Sequence, residues 1–330
     1  MAVKKPTGIP LLKSDGYRQV YLKDAPEKAI AQTGESSLGH FGIHHRCIWN
    51  DVASAHRLDF YMVFLVMRGE ATHRFGLQEY ALQQNMLCFV GPDMVNSWEM
   101  TSGDQGGYIC TFSDDFFHTG LADQQVLSRL SFFQLEGQPV IQLSETQAAE
   151  YVEIFKLMEK EYGKSVHPPM LETSFDGRSG KMQKAYSHEV LQGYLHALIG
   201  KAKRDHGDAV VADAASRADI RLLRKFTEMF NHDFEAIRAG QPLTIRKVSE
   251  YAELLGVSQN HLNDTIQTLT GISAGQHIRN RLIRQATMCL KHSDKTVSEI
   301  AYRLGYEDPS YFARFYKSQT GKTPTAFRKK

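Results

Sequence analysis

A repeated pattern in the last third of the chain constrains its fold more than any other feature. The Val-Ser-Glu, Ala and Leu-Gly pattern of Val248–Gly256 recurs 49 residues later over Val297–Gly305. Farther along, Thr270-Gly271 recurs as Thr320-Gly321, with one inserted residue. Self-similarity that keeps its spacing over this length indicates two copies of one supersecondary unit.

Each copy predicts a helix, a tight turn and a second helix. Gly256 and Gly305 can adopt the left-handed backbone that such a turn requires. In the second copy, Thr296 and Glu299 match a capping box that begins the first helix. Pro309 suits the first turn of the second helix, because the N–H that proline lacks has no helical partner there. A plain helical hairpin is the alternative for one copy, but two copies favour paired helix-turn-helix units.

The segment between the copies predicts one long helix. Over Ala274–Lys291, apolar residues recur on one face at Ile278, Leu282, Ala286 and Leu290. About 18 helical residues at about 1.5 Å each span about 27 Å, which approaches the ~34 Å helical repeat of duplex DNA. Such a helix would present the second helix of each unit to adjacent major grooves.

Positive charge is concentrated in this tail. Residues 240–330 contain 14 Lys and Arg against 7 Asp and Glu, a net +7, whereas the whole chain carries +2. The remaining 239 residues therefore carry −5. Clustered Lys and Arg gain free energy by displacing counterions from phosphate, so a basic tail on an acidic body favours a polyanionic partner.

Three stretches of the second copy form a specific motif: Thr296–Tyr306, Asp308–Lys317 and Gly321–Pro324. Through them, the tail over about 244–330 resembles the DNA-binding domain of the AraC (AraC/XylS) family of transcription regulators. The first copy is looser, but its matching residues are Ser258, Leu262, Gly271 and Arg281–Ala286. The resemblance implies sequence-specific binding to double-stranded DNA by a domain over 216–330, with helix-turn-helix units at about 244–271 and 296–321.

Candidate DNA-contacting residues lie on the exposed face of each second helix. We assign Leu262, Ile266 and Leu269 to the core of the first unit, and Phe312 and Phe315 to that of the second. The DNA-binding candidates that remain are Ser258, Gln259, Asn260, His261, Asn263, Gln267, Ser310, Tyr311, Arg314 and Lys317.

The candidate side chains differ in what they can recognise. Asn and Gln pair with adenine edges, and Arg314 suits guanine. Lys317 suits a phosphate but is equally compatible with a solvated surface lysine. Asp264 is interpreted as orienting a neighbour or forming a salt bridge.

The first part of the chain has a β pattern. Short aromatic and β-branched runs between turn residues are typical of a sandwich or a small antiparallel barrel. The predicted strands are Leu58–Met67, Ala71–Phe75, Tyr80–Leu82 and Met86–Val90. Met86–Pro92, with Asn96 and Trp98 after it, is similar to a motif of cupin-like sensory domains. The predicted fold class is α+β multidomain, with an N-terminal cupin-like β-barrel with helices (1–143) and a C-terminal all-α tandem helix-turn-helix domain.

A cupin-like sensory barrel implies a small-molecule effector, whose identity the residues do not indicate. The candidates for lining its pocket, by their positions in the pattern, are Tyr61, His73, Asn96 and Trp98. A barrel core needs aromatic residues in any case, so core packing is the alternative role for them.

A metal centre is disfavoured in this barrel. Asn96 stands where cupin enzymes usually carry a metal-binding histidine, and the preceding strands have no clear His-x-His pair. Two groups still invite a metal hypothesis: His40 with His44 and His45, and His56 with Asp59. Neither group has a fourth ligand at suitable spacing, so we expect no metal and no cofactor.

Two helices are predicted in a connecting segment, 144–215. They cover Ser144–Tyr162 and about Lys181–Arg204, and a third amphipathic helix follows at about Arg217–Ala239. The apolar stripe of the second helix is Met182, Tyr186, Val190, Tyr194 and Leu198. This stripe packs on the barrel or pairs with the same helix of a second subunit, and we slightly favour pairing into a homodimer.

Cysteine usage and hydropathy favour a cytoplasmic protein. Four cysteines without a CxxC pair are interpreted as reduced, buried packing residues: Cys47, Cys88, Cys110 and Cys289. No apolar stretch approaches the ~20 residues of a membrane helix, and the first residues do not match a secretory signal. We therefore expect no membrane partner.

Sequence-specific transcription regulation is the function that these features favour. An effector in the barrel would change how two tails of a dimer contact DNA, and RNA polymerase is a further candidate partner of an activator. One rival is a metal-dependent cupin enzyme with an accessory helical domain, which requires a bound metal. The other is a protein-binding adaptor, which predicts no salt-dependent binding to duplex DNA. We expect a regulator and not an enzyme; the residues do not distinguish activation from repression.

Overall fold

A computed structural model gives the structure of the chain as two compact units. It describes residues 9–13, 40–76, 78–92, 94–117, 127, 130–134, 137–166, 177–206, 218–238 and 241–328. The first unit comprises Ile9–Phe117 and Leu130–Val210, and the second includes Val211–Lys330.

Ten strands form the first unit. They are β1 (Leu11–Leu12), β2 (Phe41–His45), β3 (Val52–Leu58), β4 (Tyr61–Arg68), β5 (Ala71–Phe75), β6 (Gln78–Leu82), β7 (Met86–Val90), β8 (Asn96–Met100), β9 (Gly106–Phe112) and β10 (Val140–Gln142). One five-stranded sheet has the order β1-β3-β8-β5-β6, and the other has the order β10-β7-β4-β9-β2. Every pairing is antiparallel except that of β1 with β3.

The two sheets face each other across an aromatic core. Residues of β4 alternate between the faces of their sheet, so Met62, Phe64 and Val66 enter this core. From the opposite sheet, Phe75 lies 6.1 Å from Phe64, centroid to centroid, and Trp98 belongs to the same cluster. The unit is therefore a β-sandwich whose interior lies between β4, β7 and β9 on one side and β3, β5 and β8 on the other.

Helix α2 covers the outer face of the second sheet. After the short helix α1 (Asp114–Phe117), α2 runs over Glu145–Val166. A capping box begins this helix, since Ser144 N donates to Gln147 Oε1 (2.9 Å) and Gln147 N donates to Ser144 Oγ (3.2 Å). Four residues on one stripe of this helix are buried: Tyr151, Phe155, Met158 and Tyr162. Phe155 stacks on Tyr108 of β9 at 5.5 Å, so α2 buries an aromatic residue on the outer face of β9.

Helix α3 (Gly177–His206) packs on α2 through a different face from the predicted stripe. Its buried apolar residues are Leu191, Leu195, Leu198, Ile199 and Ala202. Of the predicted stripe, Leu198 is buried, whereas Tyr186 and Val190 are 59% and 39% exposed. The side chain of Met182 lies outside the described residues. The stripe therefore leaves an apolar surface on the outside of the first unit.

Two local predictions for the first unit were wrong. The strand predicted over Leu58–Met67 is two strands, because the chain bends at Asp59 and Phe60 between β3 and β4. Cys47 is exposed in a 3-10 helix (Arg46–Ile48), whereas Cys88, Cys110 and Cys289 are buried as predicted. Burial raises the pKa of the Cys88 thiol and of the Cys110 thiol well above the usual range.

Seven helices form the described part of the second unit. They are α4 (Ala218–Arg238), α5 (Val248–Leu254), α6 (Gln259–Thr270), α7 (Ala274–His292), α8 (Val297–Arg303), α9 (Pro309–Thr320) and α10 (Pro324–Arg328). The α+β multidomain class is confirmed, with a β-rich first unit and an all-helical second unit. Among the described residues, no helix has the length and apolar character needed to span a bilayer.

Candidate nucleic-acid interface

The first helix-turn-helix unit consists of α5 and α6. Glu250 Oε2 accepts hydrogen bonds from the backbone N–H groups of Arg246 (2.9 Å) and Lys247 (3.0 Å), which begins α5. Gly256 has φ of +69° in the turn. Ser258 then caps α6, because its Oγ accepts from His261 N at 3.1 Å. Local hydrogen bonds therefore set the start of both helices.

The second unit, α8 and α9, repeats this arrangement with a complete capping box. Thr296 Oγ1 accepts from Glu299 N (3.2 Å) and Glu299 Oε2 accepts from Thr296 N (2.6 Å), as predicted. The hydrogen bonds that the Glu299 carboxylate accepts from Thr296 N and from Thr296 Oγ1 lower the pKa of Glu299. Asp308 Oδ1 accepts from Ser310 N at 2.7 Å to begin α9, and Pro309 occupies its first turn.

Helix α7 joins the two units and packs against both. Its observed range, Ala274–His292, confirms the predicted helix, and its four predicted core residues are buried. At its start, Asn263 Oδ1 of α6 accepts from Gly275 N at 3.3 Å. Farther along, Thr287 Oγ1 lies 3.0 Å from Tyr316 Oη of α9. One continuous helix therefore fixes the spacing of α6 and α9.

The segment before α5 also contacts the second helix-turn-helix unit, α8 and α9. Leu243 N donates to the Arg303 carbonyl at 2.9 Å, and the Arg246 guanidinium lies over the Tyr306 ring at 4.6 Å. Arg303 Nε donates to the Ile237 carbonyl at the end of α4 (3.0 Å). Sequence reasoning missed these contacts, because they join residues that are about 60 positions apart and no local pattern marks them.

Most of the predicted DNA-contacting residues are exposed. On the first helix-turn-helix unit, the exposed candidates are Ser258, Gln259, Asn260, His261 and Gln267. Asp264, which we interpret as orienting a neighbour or forming a salt bridge, is also exposed. On the second helix-turn-helix unit, the exposed candidates are Ser310, Tyr311, Arg314 and Lys317. Asn263 differs, since it is half-buried and accepts the hydrogen bond at the start of α7.

The buried faces of α6 and α9 match the prediction with one exchange in each. Leu262 and Ile266 are fully buried, whereas Leu269 is half-buried and Thr270 is fully buried. In α9, Phe312 and Tyr316 are fully buried and Phe315 is half-buried. The exposed faces of both helices are polar, which is what contact with base edges requires.

Arg314 is near the Tyr311 ring and acts electrostatically on Asp308. Its guanidinium lies 5.9 Å from the Tyr311 ring centroid, and its charge contributes to the lowered pKa of Asp308, whose main cause is the hydrogen bond from the Ser310 backbone. Both contacts leave Arg314 on the exposed face of α9.

A second candidate site lies between the two sheets of the N-terminal β-sandwich. Three of the four predicted effector residues meet there: His73 Nε2 hydrogen-bonds Asn96 Oδ1, and the His73 ring lies 5.7 Å from Trp98. Tyr61 does not join them. It lies on the opposite face of β4 from Phe64, where it packs on Phe112 (5.6 Å) and Phe133 (4.8 Å).

His56 extends this hydrogen-bonded chain, and its orientation follows from the Ser54 carbonyl. A carbonyl only accepts, so His56 Nδ1 donates to it (2.7 Å) and His56 Nε2 accepts from Asn96 Nδ2 (3.1 Å). Asn96 Oδ1 then accepts from His73 Nε2. Burial lowers the pKa of His73 to about 3, so both imidazoles of this chain are neutral near pH 7.

The histidines that invited a metal hypothesis have other partners. His40 Nε2 lies 3.0 Å from Thr111 Oγ1, and His45 Nε2 lies 2.8 Å from Glu159 Oε1. Within the described ranges, no group of three or more His, Cys, Asp or Glu side chains is arranged to hold a metal ion.

Comparison with known families assigns both units. The model of a helix-turn-helix domain matches residues 251–330, and the model of the AraC-like ligand binding domain matches residues 38–162. The chain belongs to the AraC family of transcription regulators. Its AraC-like ligand binding domain falls on the β-sandwich and α2, and its helix-turn-helix match begins within α5.

The curated relatives with which this AraC family chain was compared are transcription activators. Over 276 residues it is 22% identical to the HTH-type transcriptional activator RhaS of Escherichia coli O81, covering 83% of this chain and 86% of that one. It is 36% identical over 72 residues to the activator RhaR of Cronobacter sakazakii, covering 22% of this chain and 25% of that one. Among solved structures, ToxT from Vibrio cholerae matches 89% of the chain, with 12% identity and a TM-score of 0.34.

Proposed function

We propose that the protein binds a specific duplex DNA sequence through α6 and α9 and so controls transcription, under the control of a small molecule bound between its two sheets. The observation that carries the proposal is the pair of helix-turn-helix units held at fixed spacing by α7, each with a polar exposed face on its second helix. Domain boundaries near 144 and 216 are part of the proposal.

Within this proposal, the two units divide the work of recognition. The exposed Gln259, Asn260 and Gln267 of α6 suit adenine edges, and Arg314 of α9 suits guanine. Lys317, one turn after Arg314, suits a phosphate. Asn263 is better suited to positioning α6 against α7 than to contacting a base, because of its hydrogen bond to Gly275.

Replacing Arg314 with alanine should weaken binding to the cognate duplex by about 1–3 kcal/mol and relax the base preference at one position. The measurement is a titration of full-length protein with cognate and single-base variant duplexes at fixed salt. Lys317→Ala is the matched control, because it should weaken all duplexes alike and reduce the salt slope by about one. Unchanged affinity and base preference in Arg314→Ala would exclude it as a base contact.

A homodimer is part of the proposal, and the outward face of α3 is its proposed interface. Tyr186 and Val190 are exposed large apolar residues one turn apart on this helix. A double substitution, Tyr186→Glu with Val190→Glu, should therefore shift the full-length protein from dimer to monomer in light scattering. The matched control is Leu157→Glu on α2, an exposed leucine (44%) outside the interface, which should leave the mass unchanged. A double variant that keeps the mass of a dimer would contradict this interface.

The remaining parts of the proposal follow from DNA binding and from the relatives. A regulator of bacterial transcription works in the cytoplasm, where the DNA lies. The relatives are activators, so we propose activation, with RNA polymerase as the partner that the bound protein contacts. The protein is then not an enzyme, and elemental analysis that found one metal ion per chain would favour the cupin enzyme instead. Binding to duplex DNA that is independent of salt would favour the adaptor.

A further inference from the structure

A buried arginine without an acidic partner lies between the sheets of the first unit. Arg46 is only 1% exposed. Its Nη1 donates to the Arg68 carbonyl at 3.2 Å, and its Nη2 donates to the Met100 thioether at 3.7 Å. Its Nε has no hydrogen-bond partner. Across the described part of the chain, no carboxylate pairs with this guanidinium.

The unsatisfied groups of Arg46 share one edge of the guanidinium. The Nε–H and one Nη2–H of an arginine point in the same direction, and this edge binds carboxylates through two parallel hydrogen bonds. In Arg46, Nε is unpaired and Nη2 contacts only a weak thioether acceptor. On the other side of the guanidinium, Nη1 donates to the Arg68 carbonyl of β4. Arg46 therefore presents the edge suited to an anion, with no anion of the described chain on it.

Arg46 is the charged group of this interior. Burial lowers its pKa to about 10, so it remains protonated near pH 7. His73 and His56 are neutral, and Cys88, the other titratable group that Arg46 faces, is a thiol of raised pKa. A buried cation without a counter-ion is costly, and proteins normally pair such groups. The missing partner therefore points to a ligand with a negative charge.

The surroundings of Arg46 are aromatic. Trp49 stacks on Trp98 at 4.8 Å and lies 5.6 Å from Phe64, and His73 stacks on Phe75 at 4.0 Å. The charge of Arg46 acts on this group. Burial is the main cause of the lowered pKa of His73, the hydrogen bond to Asn96 opposes that shift, and the charge of Arg46 adds to it. These rings are apolar surfaces suited to contact with the apolar body of a ligand whose polar end faces Arg46.

We propose that the effector is a small organic carboxylate that pairs with the Nε–Nη2 edge of Arg46 and lies with its apolar body against Trp49 and Trp98. This inference rests on the proposed function, because it names the chemical class of the effector. The competing explanation is structural: Arg46 only joins its 3-10 helix to the end of β4 through the Arg68 carbonyl.

Tryptophan fluorescence can report on this site alone. The chain has 2 tryptophans, and both, Trp49 and Trp98, lie in this cluster. We would titrate full-length protein with benzoate, phenylacetate and hexanoate, and with the neutral amide of each acid. The expected result is a saturable change in fluorescence with at least one acid and none with its amide. Equal responses to an acid and its amide, or no response to any acid, would overturn the proposal.

Two Arg46 variants separate ligand binding from structure. Arg46→Gln should weaken binding of the responding acid by at least about tenfold, as expected for loss of a charge-assisted bidentate pair. Arg46→Lys keeps the charge but loses the bidentate edge, so its affinity should lie between the two. The matched control is Arg57→Gln, which replaces a buried arginine that donates to the Ile9 carbonyl (2.9 Å) on the opposite face of β3. It should bind the acid as the wild type does.

DNA binding by the same variants distinguishes this inference from the proposed function. Arg46→Gln should bind the cognate duplex as the ligand-free wild type does. At one acid concentration, the acid should change the DNA affinity of the wild type and of Arg57→Gln but not that of Arg46→Gln. Wild-type affinity of Arg46→Gln for the acid would overturn the carboxylate proposal and leave the regulator intact. Failure of the wild type to bind any duplex would instead overturn the proposed function.

Discussion

Replacing Phe312 with alanine should lower the free energy of unfolding of the second unit by about 3–5 kcal/mol. Phe312 is fully buried at the base of α9, with ring centroids 5.4 Å from Tyr306 and 6.0 Å from Tyr316. Its removal would leave a cavity beneath the helix that carries Arg314. The loss would be measured by calorimetry of the full-length protein, in the transition that added cognate DNA shifts to higher temperature.

Phe315→Ala is the matched control for Phe312→Ala. It removes the same atoms from the same helix, but Phe315 is half-buried and its ring lies 5.8 Å from Tyr306 at the edge of the core. We expect a loss well below that of Phe312→Ala, because less apolar surface returns to water. Equal losses in the two variants would contradict the placement of α9.

Replacing Gly305 with alanine should destabilise the second unit by roughly 2–3 kcal/mol. Gly305 has φ of +76°, which costs a residue with a side chain roughly 1–2 kcal/mol. A Cβ at this position would also overlap the carbonyl oxygen of Leu243, so the segment before α5 must move and its hydrogen bond to the Arg303 carbonyl is weakened. Calorimetry of the same transition measures the loss.

Gly256→Ala separates the two causes of the Gly305 effect. Gly256 occupies the equivalent turn of the first unit with φ of +69°, and a Cβ there would meet no atom within 4 Å. It should therefore lose only the backbone contribution of roughly 1–2 kcal/mol. If the two variants lose the same stability, the close approach of Leu243 to the second turn does not contribute.

The helical unit could be predicted closely because its signals are local. The capping residues Ser258, Thr296 and Asp308 lie within three positions of the N–H groups that they bind. The sequence repeat alone was enough to place Gly256 and Gly305 in the turns of the two helix-turn-helix units. What sequence reasoning could not predict are contacts between distant segments, such as Leu243 with Arg303, because nothing near either residue marks its partner.

The interior of the β-sandwich shows the same division. The alternation of inward and outward residues along β5 and β8 correctly placed His73, Asn96 and Trp98 together. It placed Tyr61 on the wrong face of β4, because the bend at Asp59 and Phe60 sets which residues of β4 face inward. Arg46 was missed altogether. It lies in a 3-10 helix outside the strand pattern, and an arginine in such a segment is ordinarily exposed.

Selection of bound duplexes from a random DNA library tests the central claim most directly. The full-length protein would be used at physiological salt, without added ligand and with the carboxylate that changes tryptophan fluorescence, and the bound DNA sequenced. Two units at the spacing set by α7 predict an enriched motif with two contact blocks about one helical turn apart, near 10 base pairs. The Arg314→Ala protein should lose preference at one position in one block only. The absence of any enriched motif under both conditions would contradict the account.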